Sequence, residues 1–232
     1  MRPARLLVLF DLDGTLFLTD DPLLGRALRE TLRECYGVEL PQDAIERVDH
    51  AGQTSLRIGR LVLRAAGLDD PTIDAALGSW CARFAARYLE LLAGADTSGW
   101  RAAPDAAEAL ARLVGSGLRV ALLTGNPEPV ARARLERLGL GRFFPPKEGA
   151  FGCEAESRAE LIDLARARAG DWPRAATVEV GDTGRDAASA RSAGVRSILV
   201  GPAGARAGGE GDADAVCADL REAATRLLAW AG

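Results

Sequence analysis

Two rhythms of apolar and polar positions alternate along this chain. Leu6–Phe10 is a run of five apolar residues, and Leu118–Leu123, Thr177–Val180 and Ser197–Val200 are further short runs dominated by Leu, Val and Ile. Their length and lack of alternation predict strands buried on both faces. Gly149–Gly152 and Ala213–Cys217 are weaker strand candidates. Between them, apolar residues recur at helical spacing over Asp105–Val114, Pro129–Leu138, Arg158–Ala169, Asp186–Ala193 and Leu220–Trp230. Strand and helix in alternation predict a doubly wound, Rossmann-like α/β core, a parallel sheet covered by helices on both faces.

Residues 18–100 break this rhythm. They hold no convincing strand, and helices are expected at Pro22–Tyr36, Gln42–Val48, Ser55–Ala66 and Pro71–Leu92, punctuated by Gly37, Gly52, Gly67 and Gly94. The expected organisation is therefore a core of residues 1–17 and 101–232, split by an all-helical cap of residues 18–100. The Gly-rich stretch Gly201–Gly211 lacks the G-K-[ST] ending of a phosphate-cradling loop and reads as a connection after a strand.

Composition narrows the partners. The chain of 232 residues is 48 % hydrophobic, enough to bury a sizeable core. Its net charge of -4, with no basic block, disfavours nucleic acid and anionic membrane as partners. No segment approaches a membrane span. Cys35, Cys81, Cys153 and Cys217 are widely spaced, so no disulfide or zinc site is expected and a reduced, cytoplasmic setting is the default.

Charged residues gather where the strands end. In "DLDGT", Asp11 and Asp13 follow the first apolar run, and a period of two turns both carboxylates to the crevice while Leu12 faces the core. Ligands of parallel α/β sheets bind beyond the carboxyl ends of the strands. "LLTGN" places Thr124, Gly125 and Asn126 at a second strand end, where a hydroxyl and backbone N–H groups suit an anionic oxygen. "GDTGRD" adds Asp182 and Asp186 at a third. Such clustered carboxylates repel one another unless a cation neutralises them. Oxygen donors without a His or Cys cluster favour Mg2+. A basic residue should also reach the anion, and Arg158 and Lys147 are the candidates.

In order and placement, these motifs resemble those of the haloacid dehalogenase-like hydrolases, in particular the branch that includes phosphoglycolate phosphatases and β-phosphoglucomutases. The resemblance implies a Mg2+-dependent phosphatase of a small phosphorylated metabolite. Asp11 would be the nucleophile that forms an aspartyl-phosphate, and Asp13 the acid and base. Asp11, Asp182 and the Asp13 carbonyl would hold the cation. Thr124, Gly125, Asn126 and Arg158 would bind the phosphoryl group, with Asp186 supporting the metal or orienting Arg158. Arg158 stands where the family usually has Lys. The cap loop "VDHAGQTSLR" corresponds to the region that reads the leaving group, which makes His50, Gln53, Thr54 and Arg57 candidate specificity residues. Asp13 argues against the halide-removing subgroup, which lacks it. A phosphosugar mutase with the same aspartyl-phosphate is the alternative, and a non-hydrolytic phospho-aspartate signalling module a more distant one. The chain is expected to act as a monomer or homodimer.

Overall fold

The computed structural model describes residues 6–41, 43–45, 47–201 and 213–232. Six parallel strands form one sheet: β1 (Leu7–Phe10), β2 (Arg119–Thr124), β3 (Ala150–Phe151), β4 (Thr177–Gly181), β5 (Arg196–Val200) and β6 (Ala215–Cys217). Their order is β3-β2-β1-β4-β5-β6, so β1 is central and the chain winds outward from it in both directions. β1 pairs with β2 through Phe10 and Leu122 and with β4 through Phe10 and Val180, which brings three strand ends level.

The unbroken apolar run of β1 has a direct cause. Val8 and Phe10 pack with α5 (Ala106–Gly115), α6 (Glu128–Arg137) and α9 (Leu220–Ala231) on one face. Leu7 and Leu9 pack with α7 (Arg158–Arg168) and α8 (Gly184–Ala193) on the other. Both faces are buried, so no polar alternation is tolerated.

The helical insert packs as a cap with its own apolar cluster. It contains α1 (Pro22–Tyr36), α2 (Ser55–Ala65), α3 (Asp70–Asp74) and α4 (Leu77–Ala93). Trp80 anchors it: the indole donates to Thr31 Oγ1 at 3.0 Å and stacks on Phe84 at 5.5 Å. A Cβ on Gly59 would lie 2.6 Å from Trp80, so glycine there lets α2 meet α4 closely. Val130 of α6, a core helix, also belongs to this cluster. The two core–cap linkers run side by side, with Leu18 N–H donating to Arg101 C=O at 3.0 Å and Ala103 N–H to Leu16 C=O at 2.9 Å.

Three expectations need correction. The described residues within 43–48 form turns rather than a helix, and Gln42 and Glu46 lie outside the described residues. The helix expected over Pro71–Leu92 is two helices, α3 and α4, separated at Ala75–Ala76. Most consequentially, Cys81 of α4 and Cys153, which follows β3, form a disulfide with Cα atoms 5.8 Å apart. Their separation of 72 residues left no sequence signal; only the docking of cap on core joins them. Apart from Gly201, the Gly-rich stretch lies outside the described residues. Among the described residues, no helix is long and apolar enough to cross a membrane.

Candidate active site

Asp11 follows β1 directly, and its N–H donates to Val180 C=O at 2.9 Å, which fixes the strand end. Its side chain is buried, and Arg158 Nη2 lies 3.1 Å from Oδ1. Burial holds the Asp11 carboxyl well above the ordinary carboxylate range; Arg158 opposes this, while Asp186, Asp13 and Asp182 add to it.

Arg158 opens α7 and is itself buried. Its guanidinium also lies 2.7 Å from Asp186 Oδ1 and 3.0 Å from Glu179 Oε1, and donates to Leu123 C=O at 3.2 Å. One cation thus meets three carboxylates. Lys147 sits exposed in a loop, so Arg158 is the basic side chain that the fold brings to Asp11.

Asp182 and Asp186 lie at the β4–α8 junction. Asp186 closes a capping box: its Oδ2 accepts from Thr183 N–H at 2.8 Å and from Thr183 Oγ1 at 2.6 Å. Burial pushes the Asp182 carboxyl up to about 6, with Asp186 adding and Thr15 opposing. Two glycines make room for this cluster. A Cβ on Gly14, whose φ is +77°, would fall 2.2 Å from Asp182 Oδ2, and one on Gly181 would fall 2.3 Å from Asp186 Cγ.

Asp13 points differently. Its side chain is 48 % exposed, and Oδ1 lies 2.8 Å from Arg134 Nη1 while Oδ2 accepts from Asn126 Nδ2. Asn126 also donates to Thr124 Oγ1, from its side chain at 3.1 Å and from its backbone at 3.2 Å. Thr124 is fully buried.

Asp11, Asp182 and Asp186 each offer a carboxylate oxygen within 4.8 Å of the others. The donors are all hard oxygens, and the single guanidinium of Arg158 cannot balance three clustered carboxylates. This donor set fits a hard divalent cation such as Mg2+.

Above the cluster, a cavity of about 390 Å³ lies between core and cap. Asp11, Asp13, Asn126, Arg158 and Asp182 reach it from the core, and His50 and Gln53 from the cap. Thr54 and Arg57 instead line a neighbouring recess of about 240 Å³, beside Glu156 and Arg185. Gly125 meets the cap backbone: a Cβ there would lie 1.9 Å from Gln53 O, and its own carbonyl accepts from Ser55 N–H at 2.8 Å. Leu56 N–H donates to Gly152 C=O at 3.0 Å, so the first turn of α2 docks on core backbone.

Sequence reasoning missed Arg134 and Glu179. Arg134 reads as one of several arginines in "ARARLER", although Ala131 and Leu135 place it on the buried stripe of α6. Glu179 is fully buried inside β4, where a lone charge in an apolar strand was the available signal.

A model of the haloacid dehalogenase-like hydrolase family matches residues 6–194. A phosphoglycolate phosphatase of Rhodospirillum rubrum is 33 % identical over 198 residues, covering 83 % of this chain and 78 % of its own. The crystal structure of CbbY from Rhodobacter sphaeroides with phosphate superposes with a TM-score of 0.66 at 21 % identity, covering 94 % of this chain and 96 % of its own. A β-phosphoglucomutase-like structure from Thermotoga maritima gives a TM-score of 0.57 at 24 % identity, covering 96 % and 98 %.

Proposed function

The chain belongs to the haloacid dehalogenase-like hydrolases, and on that premise we propose that it hydrolyses phosphomonoesters through an aspartyl-phosphate on Asp11. One observation carries this reading. Two carboxylates two residues apart open on one cavity in unlike settings, Asp11 buried against Arg158 and Asp13 exposed beside Arg134.

Asp11 and Asp182, with the Asp13 carbonyl, would hold Mg2+ beside Asp186. When bound, the cation supplies neutralisation of the phosphoryl oxygens' charge. A carboxylate oxygen of Asp11 attacks phosphorus, and the bond from phosphorus to the ester oxygen breaks. Asp13 gives its proton to that departing oxygen, which leaves as an alcohol. Asp13, now ionised, takes a proton from water as the water oxygen attacks phosphorus. The Asp11–phosphorus bond breaks, inorganic phosphate departs and both side chains return to their starting states. Splitting one displacement into two lowers each barrier. Arg158 orients Asp11, while Asn126 and Arg134 hold Asp13.

The test is phosphate release from a panel of phosphomonoesters, with Mg2+ or chelator, by wild type and Asp11→Asn. The expected result is Mg2+-dependent turnover that the variant loses. A phosphosugar mutase would convert its sugar phosphate and release little phosphate. A stable phospho-aspartate without turnover would mark a signalling module.

A further inference from the structure

We infer that the leaving group this site accepts is a neutral, largely hydrocarbon alcohol rather than a carboxylate-bearing or doubly phosphorylated one. The inference rests on the phosphatase reading and names its substrate class. The cap wall of the cavity is built by Leu24 and Leu28 of α1, Ile58 of α2 and Phe84 of α4. Gly25, also on α1, faces open space: a Cβ there would meet nothing within 4 Å.

Each of three polar cap side chains at the cavity has one atom bonded to a backbone carbonyl. His50 Nε2 bonds Ile45 C=O at 2.7 Å, Gln53 Nε2 donates to Asp49 C=O at 2.5 Å, and Ser55 Oγ donates to Gly125 C=O at 2.8 Å. Among the described residues, no Lys or Arg of the cap lines this cavity. Arg57 faces the neighbouring recess, 3.9 Å from Glu156. Among the described residues, the guanidinium that does line it, that of Arg158, is shared by Asp11, Asp186 and Glu179. A second anionic group on the leaving alcohol would therefore lose its water against Leu, Ile and Phe with no cap guanidinium or ammonium among the described residues to offset it, which is costly. A hydrocarbon or aryl group would gain from the same burial. A cavity of about 390 Å³ is of the size that encloses a compact organic ligand.

The experiment compares kcat/KM for phenyl phosphate and hexyl phosphate with that for 2-phosphoglycolate, in Mg2+, for wild type and two variants. Wild type should favour the apolar esters by about tenfold or more, mainly through KM. Leu24→Arg, at a half-buried position, should move the ratio toward 2-phosphoglycolate by about tenfold. Gly25→Ala, which narrows the cavity without a clash, should raise KM for phenyl phosphate while the melting temperature holds or rises. Equal or better use of 2-phosphoglycolate by wild type, or no change of ratio in Leu24→Arg, would overturn the inference while leaving the phosphatase reading intact. Failure to hydrolyse any ester would instead sink the phosphatase reading, and this inference with it.

Discussion

Arg134 Nη1 lies 2.8 Å from Asp13 Oδ1, and the guanidinium that makes this contact is almost wholly buried. Its Nε reaches Asp21 Oδ2 at 3.1 Å, and its Cζ lies 4.1 Å from the centre of the Phe17 ring. Asp21 caps α1 by accepting from Leu23 N–H, and accepts from Tyr88 Oη at 2.6 Å. The side chain assigned to proton transfer is thus tied through one arginine to the first and last helices of the cap.

Loss of Arg134 should therefore cost turnover more than binding. We expect Arg134→Gln to lower kcat by about a hundredfold with little change in KM, because a small misplacement of a catalytic group has that effect. Arg134→Lys should recover part of it. Steady-state kinetics below the melting transition check this, since a buried Asp21 without its partner also costs about 3–5 kcal/mol of stability. A raised KM at unchanged kcat would contradict the positioning role.

Mg2+ should stabilise the protein measurably. At a concentration of about one hundred times Kd the gain is about 2.7 kcal/mol, read as a rise in melting temperature that chelator reverses. Asp182→Asn should abolish the rise. Gly14→Ala should abolish it too, because the added Cβ would occupy the place of the Asp182 carboxylate. A rise unchanged in both variants would place the cation elsewhere.

Glu179 should give stability a pH dependence whose sign follows from its burial. Burial pushes its carboxyl from 4.5 up to about 8, with Asp186 adding to this and Arg158 and Ser189 opposing it. Between those values the folded chain holds a proton that the unfolded chain has released. Stability therefore falls as pH rises through this window, by at most about 1.4 kcal/mol per unit. Denaturant titrations at pH 5, 6, 7 and 8 should show a shallower fall in Glu179→Gln than in wild type. Arg158, Asp186 and Ser189 are the groups that act on it, and all remain in the variant.

Reduction should loosen the junction of cap and core. The Cys81–Cys153 bond closes a loop of 72 residues, for which chain entropy gives about 4 kcal/mol of stabilisation. Dithiothreitol should lower the melting temperature of wild type and leave Cys81→Ser unaffected. Equal melting in both redox states would show that the bond contributes nothing.

What was legible in the sequence was local. Asp11, Asp13, Thr124 and Asp182 could be placed because apolar runs mark strand ends, and parallel strands present their carboxyl ends together. What was hidden depends on distant segments meeting. Thr54 and Arg57 sit in the expected loop region, yet the start of α2 turns them toward Glu156, with Thr54 Oγ1 donating to its carbonyl at 3.2 Å. Arg134 pairs with residues more than a hundred positions away, and Cys81 meets Cys153 only once the cap has docked. The same holds for Gly125: its place in "LLTGN" fits a phosphate loop, while its missing Cβ admits the backbone of Gln53.

That last contact bears on how such a protein can change over evolutionary time. The cap meets the core at Gly125 and Gly152 largely through main-chain atoms, which every amino-acid sequence possesses. The apolar side chains that line the cavity, Leu24 and Leu28 on α1, Ile58 on α2 and Phe84 on α4, are not what seats α2 at these glycines. Substitutions that keep the packing of Leu28 and Phe84 in the cap can therefore reshape the cavity wall over a lineage, while the seating of α2 on core backbone is inherited unaltered.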